Sequence, residues 1–165
     1  MAESTLKPIQ QTDGYLPIED YGLVGDGATA ALIGRDGGVG WLCLPRFDSP
    51  PLFCSLLDAA QGGVFRVTLD DLRESRQFYE LDSAVLVTEM RSAGGRLRIT
   101  DYCPLVAGAD LSEDLPATRR ELLRSVRVIE GKVRLTVAFE PRPDRGGAGV
   151  VRLSLHASRF GRTAS

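Results

Sequence analysis

Apolar and polar residues alternate with a period of two along almost the whole chain. Residues 132–140 place Val133, Leu135, Val137 and Phe139 on one face and Arg134, Thr136 and Glu140 on the other, the pattern of a half-buried strand. Val151, Leu153 and Leu155 repeat it against Arg152, Ser154 and His156. Residues 29–33 and 39–44 flank a tight turn at Arg35-Asp36-Gly37-Gly38, and residues 85–91 and 96–102 flank Ser92-Ala93-Gly94-Gly95. Both pairs read as hairpins. Val64–Leu69 is a further strand. Residues 119–128 open with helical character, but their continuation, with Glu130-Gly131 as a turn, predicts a strand entering another hairpin. One short helix is predicted: Ser49 caps it, Pro50 and Pro51 fit its first turn, and Leu52, Phe53, Leu56 and Leu57 form an apolar stripe.

Roughly eight strands joined by Gly-rich turns predict an all-β fold, an antiparallel β-sandwich. Residues 1–14 read as a disordered leader, 15–157 as the sandwich domain and 158–165 as a disordered tail. Residues 107–117 and 142–149 read as exposed connections. The chain stops soon after its last predicted strand, so the C-terminal edge of the sandwich is expected to be incomplete. Such an edge calls for a partner strand or a covering domain.

Composition narrows the function classes. Of 165 residues, 20 are basic and 22 acidic, for a net charge of -2, and no Lys/Arg run forms a patch that would track nucleic-acid phosphates. No apolar run approaches the roughly 20 residues of a membrane helix. The first fourteen residues lack the apolar middle of a secretory signal, so a cytoplasmic protein is expected. Cys43, Cys54 and Cys103 are widely spaced, and His156 is the single histidine. A zinc site needs about four N/S ligands, usually in close pairs; no metal and no cofactor are expected, and the cysteines read as small buried thiols. A Cys–His nucleophile pair is compatible with the spacing but has no further support.

The glycines at 34, 37, 38 and 40 lack the following helix and the Lys-Ser/Thr pair of a phosphate loop, and read as turn residues. Glycosidases need two carboxyl groups flanking the scissile bond. Among Glu19, Asp20, Asp26, Asp36, Asp48 and Asp101 none is marked as such a pair; Glu19 and Asp20 are adjacent and point to opposite faces of an extended chain. No catalytic residue is therefore assigned. Trp41, Arg46, Phe47 and Asp48 stand out. Aromatic faces and directional charged groups bind sugars, and this segment supplies both at one strand end. The alternative is structural: Trp41 and Phe47 in the core, with Arg46 and Asp48 an ion pair stiffening the loop. Structure is favoured for Trp41; for Arg46 and Asp48 both readings stand. His156 lies on the polar face of its strand and reads as solvated.

With these residues in hand, the chain resembles the amino-terminal β-domain of glycoside hydrolase family 15, the group of bacterial glucoamylases and trehalases. The likeness rests on IEDYGLVGDGATAALIGRDGGVGWLCLPRFDSPPLF at residues 18–53, GGVFRV at 62–67, VLVTEMRSAGGRLRITDYCP at 85–104 and VRVIEGKVRLTVAFEPRPD at 126–144. It departs where the family usually has Cys and this chain has Gly27, and where Ser-Ile-Asp is replaced by Gly38-Val39-Gly40. The resemblance implies an (α/α)6 helical barrel carrying both catalytic glutamates, as a partner in cis or in trans. It also implies inverting attack of water on an α-glucosidic bond of trehalose or malto-oligosaccharides. This chain does not contain the barrel, so a non-catalytic, truncated relative is expected, with Arg46, Phe47 and Asp48 facing the barrel near its α-glucoside pocket. The competing expectations are a free-standing carbohydrate-binding module using Trp41 and Phe47, and a relic without activity of its own.

Overall fold

Eleven strands and no α-helix are found among the residues described by the computed structural model, 5–106 and 118–142. In chain order they are β1 (Lys7–Pro8), β2 (Tyr21–Gly25), β3 (Ala30–Gly34), β4 (Val39–Cys43), β5 (Pro51–Phe53), β6 (Val64–Leu69), β7 (Glu74–Tyr79), β8 (Leu86–Arg91), β9 (Gly95–Tyr102), β10 (Leu123–Gly131) and β11 (Leu135–Glu140). A 3-10 turn, Ile18–Asp20, leads into β2. One layer is a five-stranded sheet, β1-β7-β8-β9-β10; the other holds the four-stranded sheet β2-β3-β4-β5 and the pair β11-β6. All of these pairings are antiparallel. The two parts of the second layer meet at a seam, where Val67 N–H donates to Gly37 O at 3.1 Å and Gly38 bridges Arg66.

Alternation decides the two inner faces. Val24, Ala31, Ile33, Val39, Leu42 and Phe53 bury themselves against Leu86, while Val67 and Leu69 close on Met90, Leu97 and Ile99. Phe53, Phe65 and Phe139, with ring centroids 5.2 to 6.1 Å apart, tie β5, β6 and β11 together. Beyond them the sandwich is unclosed among the described residues: Val126, Val128 and Val137 remain exposed on β10 and β11.

The all-β antiparallel expectation holds, with three local corrections. Residues 49–57 are not helical. Phe53 pairs with Leu42 of β4 and is buried in the ring cluster, which outweighs a weak apolar stripe that would leave Leu57 exposed. Glu130-Gly131 is not a hairpin turn. β10 continues through Gly131, which pairs with Gly95 of β9, and β11 crosses to β6 in the other layer. Within the stretch read as a leader, Lys7 and Pro8 pair with Ser75 and Glu74, and the buried Arg35 donates to the carbonyls of both. Residues 107–117 and 143–165, including the predicted strand at 151–155 and His156, lie outside the described residues.

The outer face of the five-stranded sheet carries a buried charge. Glu89, 1% exposed, accepts from Arg98 at 2.6 Å, Arg76 at 2.8 Å and Arg96 at 3.0 Å. Burial pushes its carboxyl up, but hydrogen bonds from Arg98 and Arg76 prevail and hold it below the usual carboxylate range. A depressed carboxyl stabilises the fold above its unfolded value, about 4.3, and that contribution is lost as pH falls through the folded value. Glu89→Gln is expected to lower stability near neutrality and to flatten the loss below about pH 4. Urea denaturation across that window tests this; an unchanged slope would show that the cluster is not linked to folding.

Candidate functional site

Beyond β4 the chain turns a braced corner. Leu44-Pro45 is cis. Phe47 N–H donates to Ala28 O at 2.8 Å, Ser49 N–H to Arg46 O at 3.0 Å, and Arg46 N–H to Ser49 Oγ at 3.2 Å. Arg46 grips Asp48 as a fork, Nε to Oδ1 at 2.9 Å and Nη2 to Oδ2 at 3.1 Å, and this bond holds the Asp48 carboxyl below its usual range. The stiffening ion pair is therefore present, on the surface, while Phe47 is 67% exposed rather than in the core. Ser49, expected to cap a helix, instead closes this corner.

Trp41 lies apart from the other three. It sits within β4 opposite Leu32, which in turn pairs with Leu23 of β2. Because Val24, Ala31, Ile33 and Leu42 point inward, these three form a row on the outer face of the four-stranded sheet. Trp41 is half-buried there. Asp26, weighed above only as a candidate acid, supports the corner: its Oδ1 accepts from Ala28 N–H and Thr29 N–H, and its Oδ2 from Arg120 N–H. Thr29 Oγ donates to Cys43 O. The Asp-Gly-Ala-Thr spacing of a side-chain-to-backbone turn was the available signal.

At the other end of β4, a cavity of about 250 Å³ opens at the seam of the second layer, lined by Gln11, Tyr21, Asp36, Gly38, Gly40, Ser55 and Arg66 among others. Asp36 does act as a turn residue, accepting from Gly38 N–H at 3.0 Å, but its other oxygen meets Arg66 Nη2 at 3.2 Å and Gln11 Nε2 at 3.3 Å. Burial, with help from the Asp36 charge, pushes the Tyr21 phenol up. Two of the glycines at which the chain departs from the family pattern, Gly38 and Gly40, are wall residues here. Sequence reasoning missed this cavity.

The remaining chemistry is committed elsewhere. Buried Asp20 pairs with Arg35 at 2.7 Å and buried Asp101 with Arg124 at 2.7 Å. All three cysteines are free thiols. Burial, with Asp26 and Asp101 nearby, pushes Cys103 up to about 11, and burial also raises Cys43; neither offers a thiolate near neutrality. Among the described residues no three His, Cys, Asp or Glu side chains converge on a metal position, and no helix is long and apolar enough to cross a membrane.

Comparison with known proteins gives a consistent answer. The family model described as "Trehalase-like, N-terminal" matches residues 11–160. The trehalase of Thermoplasma volcanium is 33% identical over 132 residues, covering 78% of this chain and 20% of that protein. The trehalase of Mycobacterium tuberculosis is 31% identical over 157 residues, covering 87% of this chain and 22% of that protein, and that of Mycolicibacterium smegmatis is 33% identical over 143 residues, covering 79% and 21%. No solved structure matches significantly. The chain thus spans about a fifth of the length of these curated relatives. An antiparallel sandwich and a family match over residues 11–160 lead to one conclusion: this chain belongs to the family of trehalase-like N-terminal domains.

Proposed function

We propose that the chain is the non-catalytic N-terminal β-domain of a trehalase- or glucoamylase-type α-glucoside hydrolase of family 15, acting with an (α/α)6 barrel joined in cis or supplied in trans. The observation that carries this reading is the family match over residues 11–160, set against relatives of which the matched segment makes up only about a fifth. The chemistry agrees. A glycosidase needs one protonated and one ionised carboxyl facing the scissile bond, whereas Asp20, Asp36, Glu89 and Asp101 are each held by arginine. In this reading the barrel covers exposed apolar surface of the domain, and Arg46, Phe47 and Asp48 meet it near the α-glucoside. A cytoplasmic setting fits the three free thiols.

The purified chain is expected to release no glucose from trehalose or maltose; release by the chain alone would overturn the proposal. In a polypeptide joining domain and barrel, Arg46→Ala with Asp48→Ala is expected to slow trehalose hydrolysis by about tenfold or more through lost positioning. Its melting temperature should not move, because both side chains are solvent-exposed. Full activity in that variant would remove the corner from the site.

A further inference from the structure

We propose that the cavity at the seam of the second layer binds a neutral, polyhydroxyl ligand of monosaccharide size. Its volume, about 250 Å³, lies just below the roughly 300–1,000 Å³ of sites for drug-sized molecules. The floor is buried (Leu16, Asp36, Gly38, Gly40), whereas Gln11, Ser55 and Arg66 stand at the rim.

Charge selects the ligand class. Asp36 and Arg66 neutralise each other at 3.2 Å, so the wall offers neither an anion nor a cation an uncompensated partner. Hydrogen-bonding capacity nevertheless remains. Arg66 Nε is buried and has no hydrogen-bond partner among the described residues, although a buried donor is normally satisfied. The direction a side chain would take from Gly38 passes Arg66 Nε at 3.1 Å and Asp36 Oδ1 at 3.2 Å; glycine there leaves a donor and an acceptor side by side. Two vicinal hydroxyls meet that arrangement, one accepting from Nε and its neighbour donating to the carboxylate. From Gly40 the same direction meets Tyr21 Cε1 at 3.0 Å, so the ring packs close on this glycine and lines the cavity with apolar carbon. The site lies at the opposite end of β4 from Arg46–Asp48 and does not depend on a barrel.

The test is titration of the full chain, followed by NMR at the Gly38 and Gly40 amides and the Arg66 Nε–H, with D-glucose, D-gluconate and D-glucosamine. D-Glucose is expected to give saturable shifts at these three signals with a Kd of about 1–10 mM, and each charged sugar to bind at least about fivefold more weakly. Arg66→Lys keeps the cation beside Asp36 but removes Nε–H, and is expected to weaken glucose binding by about tenfold. Gly38→Ala, whose methyl group enters the donor–acceptor gap, is expected to abolish it, with the rest of the spectrum confirming the fold of each variant. Absence of saturation up to about 100 mM, tighter binding of gluconate or glucosamine, or undiminished binding by a folded Arg66→Lys protein would each overturn the assignment.

Discussion

Gly37→Ala is expected to cost about 2–5 kcal/mol, whereas Gly27→Ala should cost only about 1–2 kcal/mol. Both glycines are left-handed, with φ of 84° and 88°, so the conformational penalty is shared. Their surroundings differ. A Cβ at Gly27 would meet nothing within 4 Å, whereas one at Gly37 would run into the Val67 carbonyl and lie 2.7 Å from Met90 Cε. The carbonyl has no room to yield, since Val67 of β6 pairs with Val137 of β11 and its N–H is held by Gly37 O. Overpacking adds roughly 1–3 kcal/mol or more against a total stability of about 5–15 kcal/mol. Urea denaturation of the two variants separates the terms. Equal losses would mean that the close approach of the β3–β4 turn to β6 contributes nothing beyond backbone strain.

Arg124→Met is expected to cost about 3–5 kcal/mol, the usual consequence of leaving a buried charge without its partner. Asp101 is 0% exposed, and Arg124 reaches it with Nε at 2.7 Å and Nη2 at 3.2 Å. Arg124 also donates to Gly37 O at 2.8 Å and lies over the Phe65 ring, so one side chain joins both layers across the seam. Burial pushes the Asp101 carboxyl up, against the pull of Arg124. Without the cation that pull is gone, and the folded state takes up a proton more readily than the unfolded chain. Stability from a raised carboxyl is present below the unfolded value and is lost as pH rises. The variant should therefore lose more at about pH 7 than at about pH 5. Asp101→Leu combined with Arg124→Met should recover most of the loss, because an apolar pair can replace a buried ion pair. A single variant as stable as the wild type at both pH values would sink this account.

These interactions bear on function through position. Gly37 O and the Asp101–Arg124 pair hold the β3–β4 turn against β6, and that turn carries Asp36 and Gly38 of the cavity wall. At the far end of β4, Asp26 and Thr29 brace the Arg46–Asp48 corner. One strand thus links a cavity whose wall charges are paired to a braced, aromatic and charged corner.

Strands whose inward residues are mainly apolar were legible: β6, β8, β9 and β11 show as β-rich runs, with Thr88 and Asp101 the polar exceptions buried on β8 and β9. β7 did not, because its inward residues Ser75 and Gln77 are polar and are satisfied by partners far along the chain. Arg35 Nη1 donates to Ser75 Oγ, and Gln77 Nε2 to Ile33 O and Thr88 Oγ1. β2 was hidden by Gly22, whose missing side chain makes room for Leu86. The corner residues were visible as one contiguous motif. The cavity residues, spread from Gln11 to Arg66, share no local pattern.

The amino-acid sequence by itself determined the β character, the antiparallel hairpin units, the family and the Arg46-Phe47-Asp48 corner, because alternation, turn chemistry and contiguous motifs act over a few residues. Only the tertiary structure decided that β10 and β11 part company, that residues 51–53 pair as a strand, which acids are buried beside arginine, and that a cavity opens at the seam. Those outcomes depend on contacts between segments distant along the chain, where burial and partner choice override local preference.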